Sequence, residues 1–140
     1  MSDPGVQANA MRMALVRAAT AMLRALGGTE VALMLPLVAF PDDTSAQLGL
    51  ADPGIEEVRI CPVVVRSLSS DAKTTRMRAE FLMPSPVVWS KVESRGMESA
   101  QALFDSALGI LHENRLLRIE KVESEQFGGS AYLYRVTAGE

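Results

Sequence analysis

Apolar and polar positions along this chain switch between two periods, and the switches mark out its elements. From about Val6 to Leu26, Met11, Leu15, Ala18, Met22, Ala25 and Leu26 fall on one stripe of a 3.6-residue repeat, with Arg12, Arg17, Thr20 and Arg24 outside it. The spacing predicts an amphipathic helix with that stripe buried, against its own sheet or also against a neighbouring subunit. Gly27-Gly28 supplies the left-handed residue that ends such a helix, and Arg24 in the last turn suits the negative end of the dipole. The period then drops to two. Thr29 to Leu35 alternates as a first strand, which Pro36 must end, bulge or place at an edge because proline donates no ladder hydrogen bond. Ile55 to Arg66 is a β-branched strand carrying Val58, Ile60, Val63, Val64 and Val65, interrupted by Pro62. In Arg76 to Met83, residues Met77, Ala79, Phe81 and Met83 face one way and Arg76, Arg78 and Glu80 the other.

Ser85-Pro86 is a helix start, with Ser85 as cap and Pro86 in the first turn, so a short helix runs to about Arg95 and stops at Gly96. Trp89 rides on it, as a core tryptophan or else as an exposed anchor for a partner. Ser99 opens a second short helix, Ala100 to Leu108, with Leu103, Phe104 and Ala107 at helical spacing. The last quarter alternates around turns at His112 to Asn114 and Gln126 to Gly129, which predicts three strands joined by two hairpins. Leu117, Ile119 and the stem of Lys121 share one face of the middle strand, with Arg118, Glu120 and Val122 on the other; Tyr132, Tyr134 and Val136 share a face of the last. The expected fold is mainly β (α+β), one domain over residues 1–140: a small antiparallel β-barrel or sandwich with an N-terminal amphipathic helix and minor helices.

Two connections stand apart. Pro41 to Gly54 and Ser67 to Thr75 are polar and rich in proline or serine, yet Leu48 and Leu50 argue against pure solvation of the first. These loops are expected to be mobile in the isolated protein and to order against partners, with Leu48, Leu50, Lys73, Arg76 and Arg78 as candidate interface residues. The arginine pair also has a plainer reading as a solvated strand face.

Composition narrows the function more by exclusion than by signal. At 140 residues and 48% hydrophobic, the chain suits one domain that buries roughly two-thirds of the surface its unfolded form exposes. The 17 acidic and 14 basic residues give a net charge of −3 with no basic run, which argues against gripping a phosphate backbone. Cys61 excludes an intramolecular disulfide and reads as a small buried hydrophobe in a reducing compartment. The N-terminus lacks a secretory signal pattern, and the longest apolar run, Val31 to Phe40, is shorter than the ~20 residues a membrane helix needs. A cytoplasmic product that engages no membrane is therefore expected. His112 is a lone turn histidine with no second ligand at metal spacing and reads as a plain surface side chain, and Gly27-Gly28 and Gly128-Gly129 lack the context of a phosphate loop. Asp42-Asp43 and Glu56-Glu57 are solvating pairs sooner than catalytic dyads. No cofactor, metal or catalytic residue is expected, and the chain is not read as an enzyme.

The order of elements resembles a known family. The helix running through LRALGGTEVAL (Leu23 to Leu33), the long loop, the central strands and the closing LLRIEKVESEQFGGSAYLYRV (Leu116 to Val136) are similar to the small head-tail joining, or head-closure, proteins of long-tailed bacteriophages and prophages. The resemblance implies a non-catalytic virion component, assembled in the host cytoplasm. It would form a homo-oligomeric ring between portal or connector and tail proteins, with DNA passing nearby unbound. A mildly acidic wall suits that passage. Rival expectations are a tail-terminator or tail-completion ring, and a free-standing bacterial binding domain or small enzyme using the long loop as a lid.

Overall fold

The computed structural model describes residues 4–37, 54–68 and 76–140. The loops expected at Pro41 to Gly54 and Ser67 to Thr75, and with them Leu48, Leu50 and Lys73, lie outside those residues except at their margins. Helix α1 (Pro4–Ala25) is followed by strands β1 (Thr29–Pro36), β2 (Ile55–Ser67) and β3 (Arg78–Pro84), helices α2 (Ser85–Ser94) and α3 (Ala100–Ser106), and strands β4 (Gly109–His112), β5 (Arg115–Phe127) and β6 (Ser130–Gly139). The strands close into an antiparallel barrel in the order β1-β2-β3-β6-β5-β4, so of the two expected architectures the chain adopts the barrel.

Local chemistry sets the corners. Gly27, at φ 82°, ends α1, and the Gly28 N–H reaches back to the Leu23 carbonyl at 3.0 Å. Both C-terminal hairpins turn on two residues of positive φ, Glu113 and Asn114 between His112 and Arg115, and Gly128 and Gly129 between Phe127 and Ser130. Such mirror-image turns match the twist of the strands they join. Pro36 ends β1, as its missing donor requires.

Pro62 does not interrupt β2. The strand runs through it, with a cis Cys61-Pro62 peptide, and the β1–β2 register instead shifts between Thr29 and Val31. A bulge takes up the irregular residue where a break was expected. Cys61, at the bulge, is exposed rather than buried. A second register shift, between Ile119 and Lys121 in β5, reverses the expected alternation beyond it: Val122 packs against the core while Lys121 turns out to solvent. β3 begins at Arg78, leaving Arg76 in the approach to the strand.

Leu33, Ile60, Phe81, Ile110, Leu117 and Val136 fill the barrel interior, and α2 and α3 add Val88, Val92, Leu103 and Phe104 to the same core. α2 differs from expectation at both its cap and its tryptophan. Pro84 is the N-cap residue and no side chain caps the helix; Ser85 is its first residue and is buried. Val88 and Val92, one turn apart, take the inward face, which leaves Trp89 on the rim with 39% exposure. Ser99 does cap α3, accepting the Ala102 N–H at 3.1 Å. His112 is half-buried rather than a free surface side chain, its ring edge-on to Phe81 with centroids 5.6 Å apart.

α1 lies against β2, β3 and β6 on the outside of the barrel. Ala19 and Leu23 are buried there without belonging to the interior cluster, and so is Leu133 of β6. The covered stripe is Ala19 and Leu23, buried, with Arg12 and Val16 half-buried beside them, one residue round from the expected one; of the expected stripe Leu15 is half-buried, and Met11, Ala18, Met22, Ala25 and Leu26 are exposed.

Two outcomes check this description. Leu117→Ala, at a fully buried interior position, should cost about 2–5 kcal/mol in denaturant unfolding. Cys61 should react fully with a thiol reagent in the folded protein, with no lag for unfolding.

Candidate interaction surfaces

Charge on the barrel's outer wall is largely matched by neighbouring strands. Glu80 on β3, its side chain 10% exposed, accepts hydrogen bonds from Arg66 on β2 at 3.0 and 3.1 Å and lies 3.6 Å from Arg135 on β6. Arg135 in turn pairs with Glu123 and Glu125 on β5. Arg78, a candidate interface residue, is held by Glu120 at 2.7 Å, so its guanidinium braces two strands before it meets any partner. Arg66–Glu80 and Arg135–Glu123 sit opposite one another in the antiparallel register, whereas Arg78 reaches Glu120 over Gly139 of the intervening β6.

Against that matched wall, the unmatched charges stand out. Arg76 lines a surface cleft of about 660 Å³ with Leu108, Leu116, Arg118, Glu120 and Glu140. Those two carboxylates are already engaged by Arg78 and Arg115, whereas Arg76 and Arg118 have no partner among the described residues. Two guanidiniums beside two exposed leucines suit an acidic, apolar segment of another macromolecule. The structure thus separates the two arginines expected together: Arg76 faces this cleft and Arg78 belongs to the barrel wall. Arg118, Leu108 and Leu116 were missed in the sequence. A signal existed at Leu116-Leu117, because two consecutive leucines in an alternating strand require one of them to point outward.

A second surface is the outer face of α1. Met11, Ala14, Ala18, Ala21, Met22 and Ala25 are all exposed, and Met11 is 60% so. At 100° per residue they form a stripe of their own beside the buried one. α1 contains Arg12, Arg17 and Arg24 and no acidic residue. Arg12 donates to the Gly128 carbonyl at 3.2 Å; Arg17 and Arg24 meet no acid among the described residues.

The third surface surrounds Trp89. Grooves on its two flanks are lined by Ser99, Gln101 and Val122 on one side and by Ser85, Gln126, Ser130 and Ala131 on the other, with Ser124 and Tyr134 common to both. Burial pushes the Tyr134 phenol above its ordinary value of 10.0, and a hydrogen bond with the Trp89 side chain pulls it partly back. Among the described residues, no group of three or more His, Cys, Asp or Glu is placed to hold a metal ion, and no helix is long and apolar enough to cross a membrane.

The raised phenol has a measurable sign. Because the folded value lies above the unfolded one, the stability Tyr134 contributes is whole below about pH 10 and is lost as pH rises through the raised value. Wild-type stability should therefore fall above pH 10, and Tyr134→Phe should flatten that fall. At neutral pH the same substitution should cost about 0.5–1.5 kcal/mol for the lost Trp89 hydrogen bond, read by urea unfolding.

No protein-family model, curated protein or solved structure matches the chain.

Proposed function

We propose that this protein is a non-catalytic structural component of a tailed-phage virion, a ring-forming neck protein that closes the head and joins the tail. The observation that carries the reading is the apolar outer face of α1, mounted on a barrel whose own core is already complete. A monomer gains nothing by exposing Met11, Ala18 and Met22 in one stripe; a subunit of an assembly does. The order of elements that resembles head-closure proteins adds to it. So does the cleft at Arg76 and Arg118, a second surface distinct from α1, because a neck component meets its own copies as well as connector and tail. The net charge of −3 suits a wall past which DNA slides without being held.

The experiment is electron microscopy of particles from a producing strain with and without this gene. Tailless heads that have packaged and then lost DNA are the expected result of deletion. Filled heads beside free tails of irregular length would move the assignment to tail completion, and intact infectious particles would refute a virion role.

A further inference from the structure

α1 presents a problem of fit that the barrel does not solve. Its covered positions, Ala19 and Leu23 buried and Arg12 and Val16 half-buried, occupy one stripe, and the apolar positions Met11, Ala14, Ala18, Ala21, Met22 and Ala25 occupy the adjoining stripe in solvent. The helix is also the cationic part of an acidic molecule. It holds three arginines and no acid in a chain of net charge −3, so the remaining residues are net acidic by six.

These facts choose the occupant. Pairing α1 with α1 of another copy would bring arginines to the join and no carboxylate to meet them. The body of another copy supplies what is missing, and its large exposed apolar side chains among the described residues are few. Leu108 and Leu116 lie beside Arg76 and Arg118, the wrong charge for a cationic helix. Phe127 adjoins the hairpin that Arg12 already holds, and the grooves beside Trp89 are lined by uncharged side chains that offer a cationic helix no carboxylate. Leu37 and Ile55 remain, 49% and 58% exposed at the Pro36 end of the β1–β2 ribbon. Next to them Glu57 is exposed and has no basic partner among the described residues, while Glu56 is tied to Arg95.

We propose that the Met11–Ala18–Met22 face of α1 docks on the Leu37–Ile55–Glu57 end of the β1–β2 ribbon of a second copy, with Arg17 and Arg24 facing its acidic surface. α1 enters β1 at Thr29 and the receiving surface lies at Pro36, the two ends of one strand, so a chain cannot dock on itself. A contact between two different patches is head-to-tail, and repetition of it closes a ring when the rotation permits. The proposal deepens the neck reading by naming the contact between its subunits.

Single-cysteine proteins in a Cys61→Ser background test it. Met22→Cys mixed with Ile55→Cys, under a mild oxidant, should form a disulfide-linked heterodimer at least tenfold faster than Met22→Cys mixed with Leu116→Cys. Glu57→Arg in the Ile55→Cys partner should slow it several-fold, and Arg17→Glu with Arg24→Glu in the Met22→Cys partner should restore the rate. Unfolding midpoints matched to the parent show that each variant is folded. Equal rates for the two mixtures, or preferential Met22→Cys homodimers, would overturn the proposal. If the cross-link fails while deletion of the gene still yields tailless heads, this contact falls and the neck reading stands. If the cross-link forms and deletion leaves virions intact, the contact stands and the neck reading falls.

Discussion

The fold depends on one short ladder, the three pairs Ala32–Leu111, Leu33–Ile110 and Met34–Gly109 that join β1 to β4. Without it the sheet would be an open ribbon with two unpaired edges, each exposing backbone donors and acceptors to any strand nearby. With it, the edges vanish and the inward side chains of all six strands share one interior. On its other side β4 lies so close to β5 that Gly109 is required, because a Cβ there would strike the Leu117 carbonyl. The Leu108 N–H extends the seam by one more hydrogen bond, to the Met34 carbonyl at 2.8 Å. β4 is only four residues long and satisfies neighbours on both sides, so its local sequence carries more constraint than its length suggests.

A closed barrel leaves two places for further elements, the ends and the outer wall, and the helices divide between them. α2 and α3 contribute to the interior through Val88, Val92, Leu103 and Phe104, while α1 covers the outside of β2, β3 and β6. The division has different energetic consequences. The inner helices are committed by burial to this chain's own core. α1 keeps one stripe for the barrel and one in solvent, and only its buried stripe is needed for the monomer to fold. Gly28 marks the join, where a Cβ would lie 2.6 Å from Pro62 and 2.9 Å from the Leu23 carbonyl. The helix is thereby set closely on the wall at its C-terminal end, and its free stripe faces away from the barrel.

Much of this was legible in the chain because alternation and helical spacing are local properties. The N-terminal helix, its glycine stop, the strands at Thr29, Ile55 and Phe81, and both C-terminal hairpins follow from periods and turn residues that need no knowledge of distant neighbours. Leu117, Ile119, Tyr132 and Tyr134 were expected on adjacent antiparallel strands, and they are buried or half-buried on β5 and β6. Candidate site residues were harder to read. Arg76 and Arg78 look alike in sequence, and only the position of Glu120 across the β3–β6–β5 sheet separates a bracing cation from a free one.

The sequence by itself determined the mainly β character, the element order and the amphipathic helix, because each is written in the spacing of neighbours along the chain. Tertiary structure decided which residues inside those patterns are covered. The apolar arc of α1 is wider than one flank of a barrel can cover, so the buried stripe depended on how the helix is seated and fell one residue from the expected one. The bulge after Ile119 changed which way Lys121 and Val122 point, since one extra residue reverses every later side chain in a strand; Cys61 is exposed because it alternates with the buried Val58 and Ile60. Trp89 lies on the rim because Val88 and Val92 claim the single inward face that α2 has. Barrel rather than sandwich was settled by the β1–β4 ladder, a contact between segments some eighty residues apart, which no local period encodes.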